Sequence, residues 1–196
     1  GLRLIGATPR STCMAVRSIV INPDAPEVRG RAKRVSRIDD TIRAILDDMV
    51  DTMRVAPGVG LAAPQIGVPL RLIVVEYEHQ LFHVVNPELS KLTGAETDEE
   101  GCLSVPNWQG PVTRATSLLV KGRDRVGREF RLNAEGWLAR IFQHECDHLD
   151  GTLFVDRVVD RAALHWIDPD EAVEEAEGGK RRRKKGLGGA SPANDA

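Results

Sequence analysis

A chain of 196 residues, 41% hydrophobic and 29% charged, has the size and balance of one globular domain with tails. No apolar run approaches the ~18 residues that cross a bilayer, which excludes a membrane-spanning helix. The formal charge of −2 hides an asymmetry: six of 27 basic and one of 29 acidic residues lie in 180–196, leaving −7 on residues 1–179 and +5 on the tail.

Three cysteines, Cys13, Cys102 and Cys146, show no disulfide-like spacing, so a reducing, cytoplasmic setting is expected. Residues 1–15 carry two arginines but no leader-like apolar run and read as an extension. Val16 to Val20 is predicted as a short strand, and Asn22-Pro23-Asp24-Ala25-Pro26 as a turn. From Ile38 the pattern becomes helical: Ile38, Ile42, Ile45, Leu46, Met49 and Met53 form one stripe, capped by Asp39 or Asp40 and ended before Pro57.

Gly58-Val59-Gly60-Leu61-Ala62-Ala63-Pro64-Gln65 matches G-x-G-x-x-A, but a helix precedes it and Pro64 would interrupt the helix expected after it, so nucleotide binding is rejected. Glycines that let another backbone approach make it a better edge for an extended peptide. Residues 71–77 and 81–86 read as a hairpin closed by Asn86-Pro87, and residues 116–124 and 128–132 as strands joined at Asp124 to Gly127. Cys102 ends an apparent strand between a glycine and an apolar residue.

The stretch from Trp137 to Gly151 reads as a helix buried on most sides, capped by Asn133 and ended by Gly151. Trp137, Ile141, His144 and His148 fall on one stripe, so both imidazoles reach one metal ion while Glu145 lies beside them. Beyond it, 152–159 is predicted as extended, 161–167 as a helical turn and 170–177 as a continuation of helix. The order of elements predicts an α+β fold: mostly antiparallel sheets packed around a central metal-binding helix, with an N-terminal helix and a disordered C-terminal tail.

A catalytic metal of this kind needs a third protein ligand. A histidine six residues beyond His148 is excluded, because that position is Phe154, and no downstream acid stands in a convincing helical motif. His79, His83, His165, an upstream acid and Cys102 remain; glycine-flanked Cys102 is favoured because its backbone can aim the sulfur inward. Cys146 falls on the far side of the helix and belongs to the core.

Together Gly58 to Gln65, Glu100-Gly101-Cys102-Leu103-Ser104 and Gln143-His144-Glu145-Cys146-Asp147-His148 resemble the three signature motifs of peptide deformylases, in order and spacing. The resemblance implies removal of the formyl group from N-formylmethionine at the start of nascent peptides. It implies that Cys102, His144 and His148 bind one divalent metal ion, with Fe2+ expected and Zn2+, Ni2+ or Co2+ able to replace it. Glu145 would be the general acid/base, with Gln65 and the Leu103 N–H stabilising an oxyanion. Substrate would lie along Val59 and Gly60, with Glu100 also assigned to it and Trp137 and Ile141 as pocket walls. The domain reading is 1–15 extension, 16–177 catalytic metallohydrolase domain and 178–196 disordered basic tail. The protein is expected to be a monomer without membrane contact, and Lys180 to Lys185 to touch ribosomal RNA. A metalloprotease, or an RNA-binding protein with a structural metal, would use the same histidines but leave the other two motifs unexplained.

Overall fold

The computed structural model describes residues 15–168. Pro26–Arg29 forms a single helical turn, α1, with Pro26 where a missing N–H costs nothing. Helix α2, Asp40–Val55, starts as expected: the Asp39 carboxylate accepts from the Ile42 N–H at 3.1 Å.

Strand β1, Gly60–Ala62, runs into a 3-10 turn, Ala63–Ile66. Strands β2, Leu72–Tyr77, and β3, Gln80–Thr93, come next, joined through Glu78 and His79, both at positive φ. They are succeeded by β4, Glu96–Cys102, β5, Val105–Arg114, β6, Ser117–Arg123, and β7, Glu129–Glu135. Helix α3, Gly136–Leu149, leads to 3-10 turns at Phe154–Asp156 and Arg161–Ala163 and a two-residue strand β8, His165–Trp166.

Among the described residues every pair of these strands is antiparallel. One sheet has the order β1-β2-β3-β6-β7 and the other β4-β5-β8. Alternation along β2 shows how the first sheet is used. Leu72 and Val74 pack with Leu46, Met49 and Met53 of α2, while Ile73 and Val75 pack with Ile141, Phe142 and Cys146 of α3. A strand apolar at every one of these positions is therefore covered on both faces. The second sheet has its own core, where Val105 and Val112 meet Leu153, Phe154 and Val158. Helix α3 sits between the two, as the predicted α+β arrangement requires.

Gly151 ends α3 in a Schellman arrangement: the Gly151 N–H donates to the His148 carbonyl at 3.2 Å and the Thr152 N–H to the Asp147 carbonyl at 3.0 Å. Its φ is +77°, and a Cβ there would stand 2.2 Å from the Arg29 carbonyl oxygen, so conformation and close approach both demand glycine.

Several local expectations are corrected. Asn133 does not cap α3: it pairs with Leu119 inside the sheet, and the helix begins three residues later behind Glu135, whose side chain makes no capping bond. Residues 16–20 form no strand, the Val20 N–H making one bond to the Gln65 carbonyl at 2.8 Å. Asn86-Pro87 does not close β3 but lies in an irregularity between Val85 and Glu88, after which the strand continues. Part of 152–159 is the Phe154–Asp156 turn, and 161–167 divides into Arg161–Ala163 and β8. Residues 1–14 and the readings on 170–177 and the basic tail lie outside the described residues.

Candidate metal centre

The pairing of β4 with β5 is regular as far as Gly101 opposite Gln109 and slips before Cys102 opposite Val105. Such a slip re-aims a side chain, and here the Cys102 sulfur reaches the face of α3 that carries His144 and His148. His144 and His148, one helical turn apart, present their rings there at 5.0 Å between centroids. Cys102 Sγ lies 3.2 Å from His148 Nε2, and one donor atom from each of the three residues lies within 4.8 Å of the others. No other group of His, Cys, Asp or Glu among the described residues is so disposed, and His79, His83 and His165 stand elsewhere.

His144 is oriented from behind. Its Nδ1 meets Glu100 Oε2 at 3.0 Å, which leaves Nε2 for the cluster. Glu100 is 4% exposed and its oxygens also take a two-pronged donation from Arg114, both bonds 2.9 Å, and one from Arg140 at 2.8 Å. Glu100, expected on the substrate side, thus has both carboxylate oxygens engaged by Arg114, Arg140 and His144. His148 has no such support, its buried Nδ1 lacking a partner among the described residues.

Charge is arranged to match. Burial opposes the Cys102 thiolate, yet His148 and His144 draw the thiol well below its ordinary value. Burial likewise opposes charge on His144, but Cys102 and Glu100 hold it well above the usual imidazole range. Glu100 is kept well below the usual carboxylate range, against its burial, by Arg114 and His144.

Glu145, next to His144 on α3, lies over Gly60 of β1 and feels the charges of His144, His148 and Cys102. Burial pushes its carboxyl up to about 7, and its buried Oε2 has no partner among the described residues. An unpaired buried oxygen of this kind costs about 1–3 kcal/mol, a cost that a ligand arriving in the site would relieve. Softness of sulfur and imidazole together, one pre-oriented ring and an orphaned carboxylate beside them fit a catalytic divalent metal with an open position.

The other expected residues surround it. Gln65 is buried in the turn after β1; its Oε1 accepts from the Ala62 N–H at 2.9 Å, which fixes the amide so that Nε2 faces Cys102 Sγ, 3.6 Å, and Ser104 Oγ, 3.3 Å. Leu103 lies in the turn between Cys102 and Val105. Val59 is 46% exposed and enters the edge strand β1, and Gly60 lies directly under Glu145. Ile141 is buried in the cluster between α3 and the large sheet, with Trp137 packed against it.

Sequence reasoning does not single out Arg114, Arg140 and Arg157 as site residues. Arg140, whose direction is not decided by its position in the sequence, turns inward to Glu100 and to the Val112 and Glu96 carbonyls, each at 2.8 Å. The available signal is spacing: Arg140 and Asp147 stand two turns apart on a helix read as mostly buried, where charges must be paired.

An α+β domain that closes a strand-end cysteine on an H-E-x-x-H helix defines a class, the metal-dependent hydrolases of the H-E-x-x-H type. Within that class the model of the polypeptide deformylase family matches residues 16–163, and the chain belongs to this family. A peptide deformylase of Thermomicrobium roseum is 45% identical over 173 residues, covering 84% of this chain and 97% of that protein. The crystal structure of the Thermotoga maritima peptide deformylase is 37% identical with a TM-score of 0.71, covering 74% of this chain and 99% of that one. A Met-Ala-Ser-bound peptide deformylase of Acinetobacter baumannii is 33% identical with the same TM-score of 0.71, at 74% and 99% coverage. Family membership carries the activity: the enzyme hydrolyses the formyl group from N-formylmethionine at the start of newly made polypeptides. Among the described residues no helix is long and apolar enough to cross a membrane.

Proposed function

We propose that Cys102, His144 and His148 hold one divalent ion, ferrous iron first and zinc, nickel or cobalt as substitutes, and that Glu145 moves the proton in deformylation. The observation that carries this reading is the unpaired, buried Oε2 of Glu145 beside three converging donors. When bound, the ion supplies Lewis acidity and brings the pKa of water towards neutrality.

The chain's own groups do the rest. Glu145, with its carboxyl pushed up to about 7 by burial, accepts the proton of the attacking water and returns it to the departing amine. Gln65 Nε2, fixed through Ala62, donates to the oxyanion, and the Leu103 N–H donates a second bond. Among the described residues strand β1 has β2 on one side only, so its other edge at Val59 and Gly60 takes the peptide as an added strand. Trp137 and Ile141 wall the methionine pocket, and a formyl carbon bearing only hydrogen passes where bulkier acyl groups do not. The enzyme works as a cytoplasmic monomer.

Formate release from formyl-Met-Ala, measured anaerobically with iron, zinc or nickel supplied, tests the reading; internal peptide cleavage without formate would turn it into a protease. In the same assay Gln65→Ala is expected to keep its metal and lose about a hundredfold or more in turnover, the usual cost of one oxyanion donor. A thermal melt belongs beside it, because the Ala62 N–H loses its acceptor. Wild-type turnover in that variant removes Gln65 from the mechanism.

The six consecutive basic residues Lys180 to Lys185 are proposed to contact ribosomal RNA by neutralising phosphates. Ribosome association is expected to weaken with salt and on removal of residues 180–196. Equal association of the shortened protein would refute this.

A further inference from the structure

Behind α3 a chain of charged groups runs from the surface to His144. Arg157, at the end of the Phe154–Asp156 turn and 49% exposed in its side chain, donates Nε to Asp147 Oδ2 at 3.0 Å and a terminal nitrogen to Oδ1 at 2.5 Å. Asp147 Oδ2 also accepts from Arg114 at 2.5 Å. The two remaining nitrogens of Arg114 fork onto Glu100, and Glu100 Oε2 meets His144 Nδ1. Guanidinium, carboxylate, guanidinium, carboxylate and imidazole thus succeed one another. All but the first are largely buried. His148 has no comparable support from behind.

We infer that Arg157 is a positioning residue for the metal ligand His144, acting through Asp147, Arg114 and Glu100. This rests on the reading of Cys102, His144 and His148 as the metal ligands. Planar guanidinium forks fix direction as well as charge, and in a buried network each hydrogen bond conditions the next. With Arg157 on both oxygens, Asp147 presents only one of them to Arg114. Without Arg157 the carboxylate is free to turn both oxygens on Arg114, which draws that guanidinium away from its fork on Glu100 and loosens the hold on the imidazole.

A purely structural role predicts something different, since Arg157 also pins the segment after α3. Arg29 supplies the control: it pins the same segment through Asp156 at 2.5 Å, and its guanidinium does not enter the network. The experiment uses the full chain loaded with cobalt, reading the thiolate-to-cobalt absorption band and the rate of metal loss to a chelator. Arg157→Met is expected to shift the band and speed metal loss roughly 3- to 10-fold, at the low end of outer-partner effects because it acts at one remove. Arg157→Lys, which keeps the charge but not the fork, should fall between, and carries the test should Arg157→Met not fold. Arg29→Met should leave band and rate unchanged even where its melting temperature falls. Unchanged band and rate in both Arg157 variants, or equal changes in Arg29→Met, would overturn the inference. Absence of a thiolate band in the wild type would instead defeat the ligand assignment beneath it.

Discussion

Glu145→Gln is expected to fold, to hold metal at the wild-type ratio and to deformylate about 10²- to 10⁴-fold more slowly, the span over which a positioned acid/base contributes. The substitution is isosteric, so helix α3, in which Ala139, Phe142 and Leu149 are fully buried, has no reason to shift. What changes is chemistry at one atom. The wild-type Oε2 is buried without a partner among the described residues, and burial pushes the carboxyl up to about 7, where it can take a proton and give it back. An amide does neither. Its NH2 would also aim a donor at the open side of the cluster, where a reacting water must give up a proton. Metal content by elemental analysis and single-turnover formate release on one preparation separate this from unfolding. A variant with normal metal and more than a tenth of wild-type turnover would remove Glu145 from proton transfer. Loss of metal would instead show that the residue supports the ligands.

How much of the fold and the site is legible in the residues alone depends on how local each signal is. Helix α2 is readable because its stripe and its Asp39 cap are local, and the metal helix because two histidines at a spacing of four leave few alternatives. Strand β5 escapes assignment because Pro106, Gly110 and Pro111 punctuate it, and its place is decided by pairing with β4. Asn86-Pro87 resembles a strand end, yet the Asn86 side chain bonds both the N–H and the carbonyl of Val35, at 2.8 and 2.9 Å, and so holds the irregularity inside a continuing strand. That partner lies 51 residues away. The buried network around Glu100 is not legible for a similar reason. The neighbours of Glu100 in sequence belong to the site, but its partners Arg114, Arg140 and His144 come from β5 and α3. Motifs thus mark the residues facing the cluster, whereas the charges that orient them from behind emerge only with the fold.

Gly60→Ala is expected to lose turnover by about a hundredfold while keeping its metal and its fold. An ideal Cβ at this position would stand 2.3 Å from Glu145 Oε1, 2.8 Å from Cδ and 3.0 Å from Cγ. Ordinary contact begins at 3.4 Å, so the carboxylate must retreat by about 1 Å, and a misplacement of that size costs on the order of 10² in rate. The backbone gives no reason to unfold, because Gly60 is not in the left-handed region, and replacing glycine by alanine within a strand favours folding by roughly 0.5–1 kcal/mol. The loss should fall chiefly on kcat, since the main-chain edge of β1 that is proposed to take the peptide is unaltered. Steady-state kinetics with formyl-Met-Ala, a melting curve and metal analysis together check the expectation. Wild-type kcat in a folded, metal-loaded Gly60→Ala protein would mean that Glu145 works from a different position. The glycine motif and the glutamate of H-E-x-x-H would then have separate reasons for being glycine and glutamate. As the structure stands they share one: the helix carboxylate rests where the edge strand has no side chain.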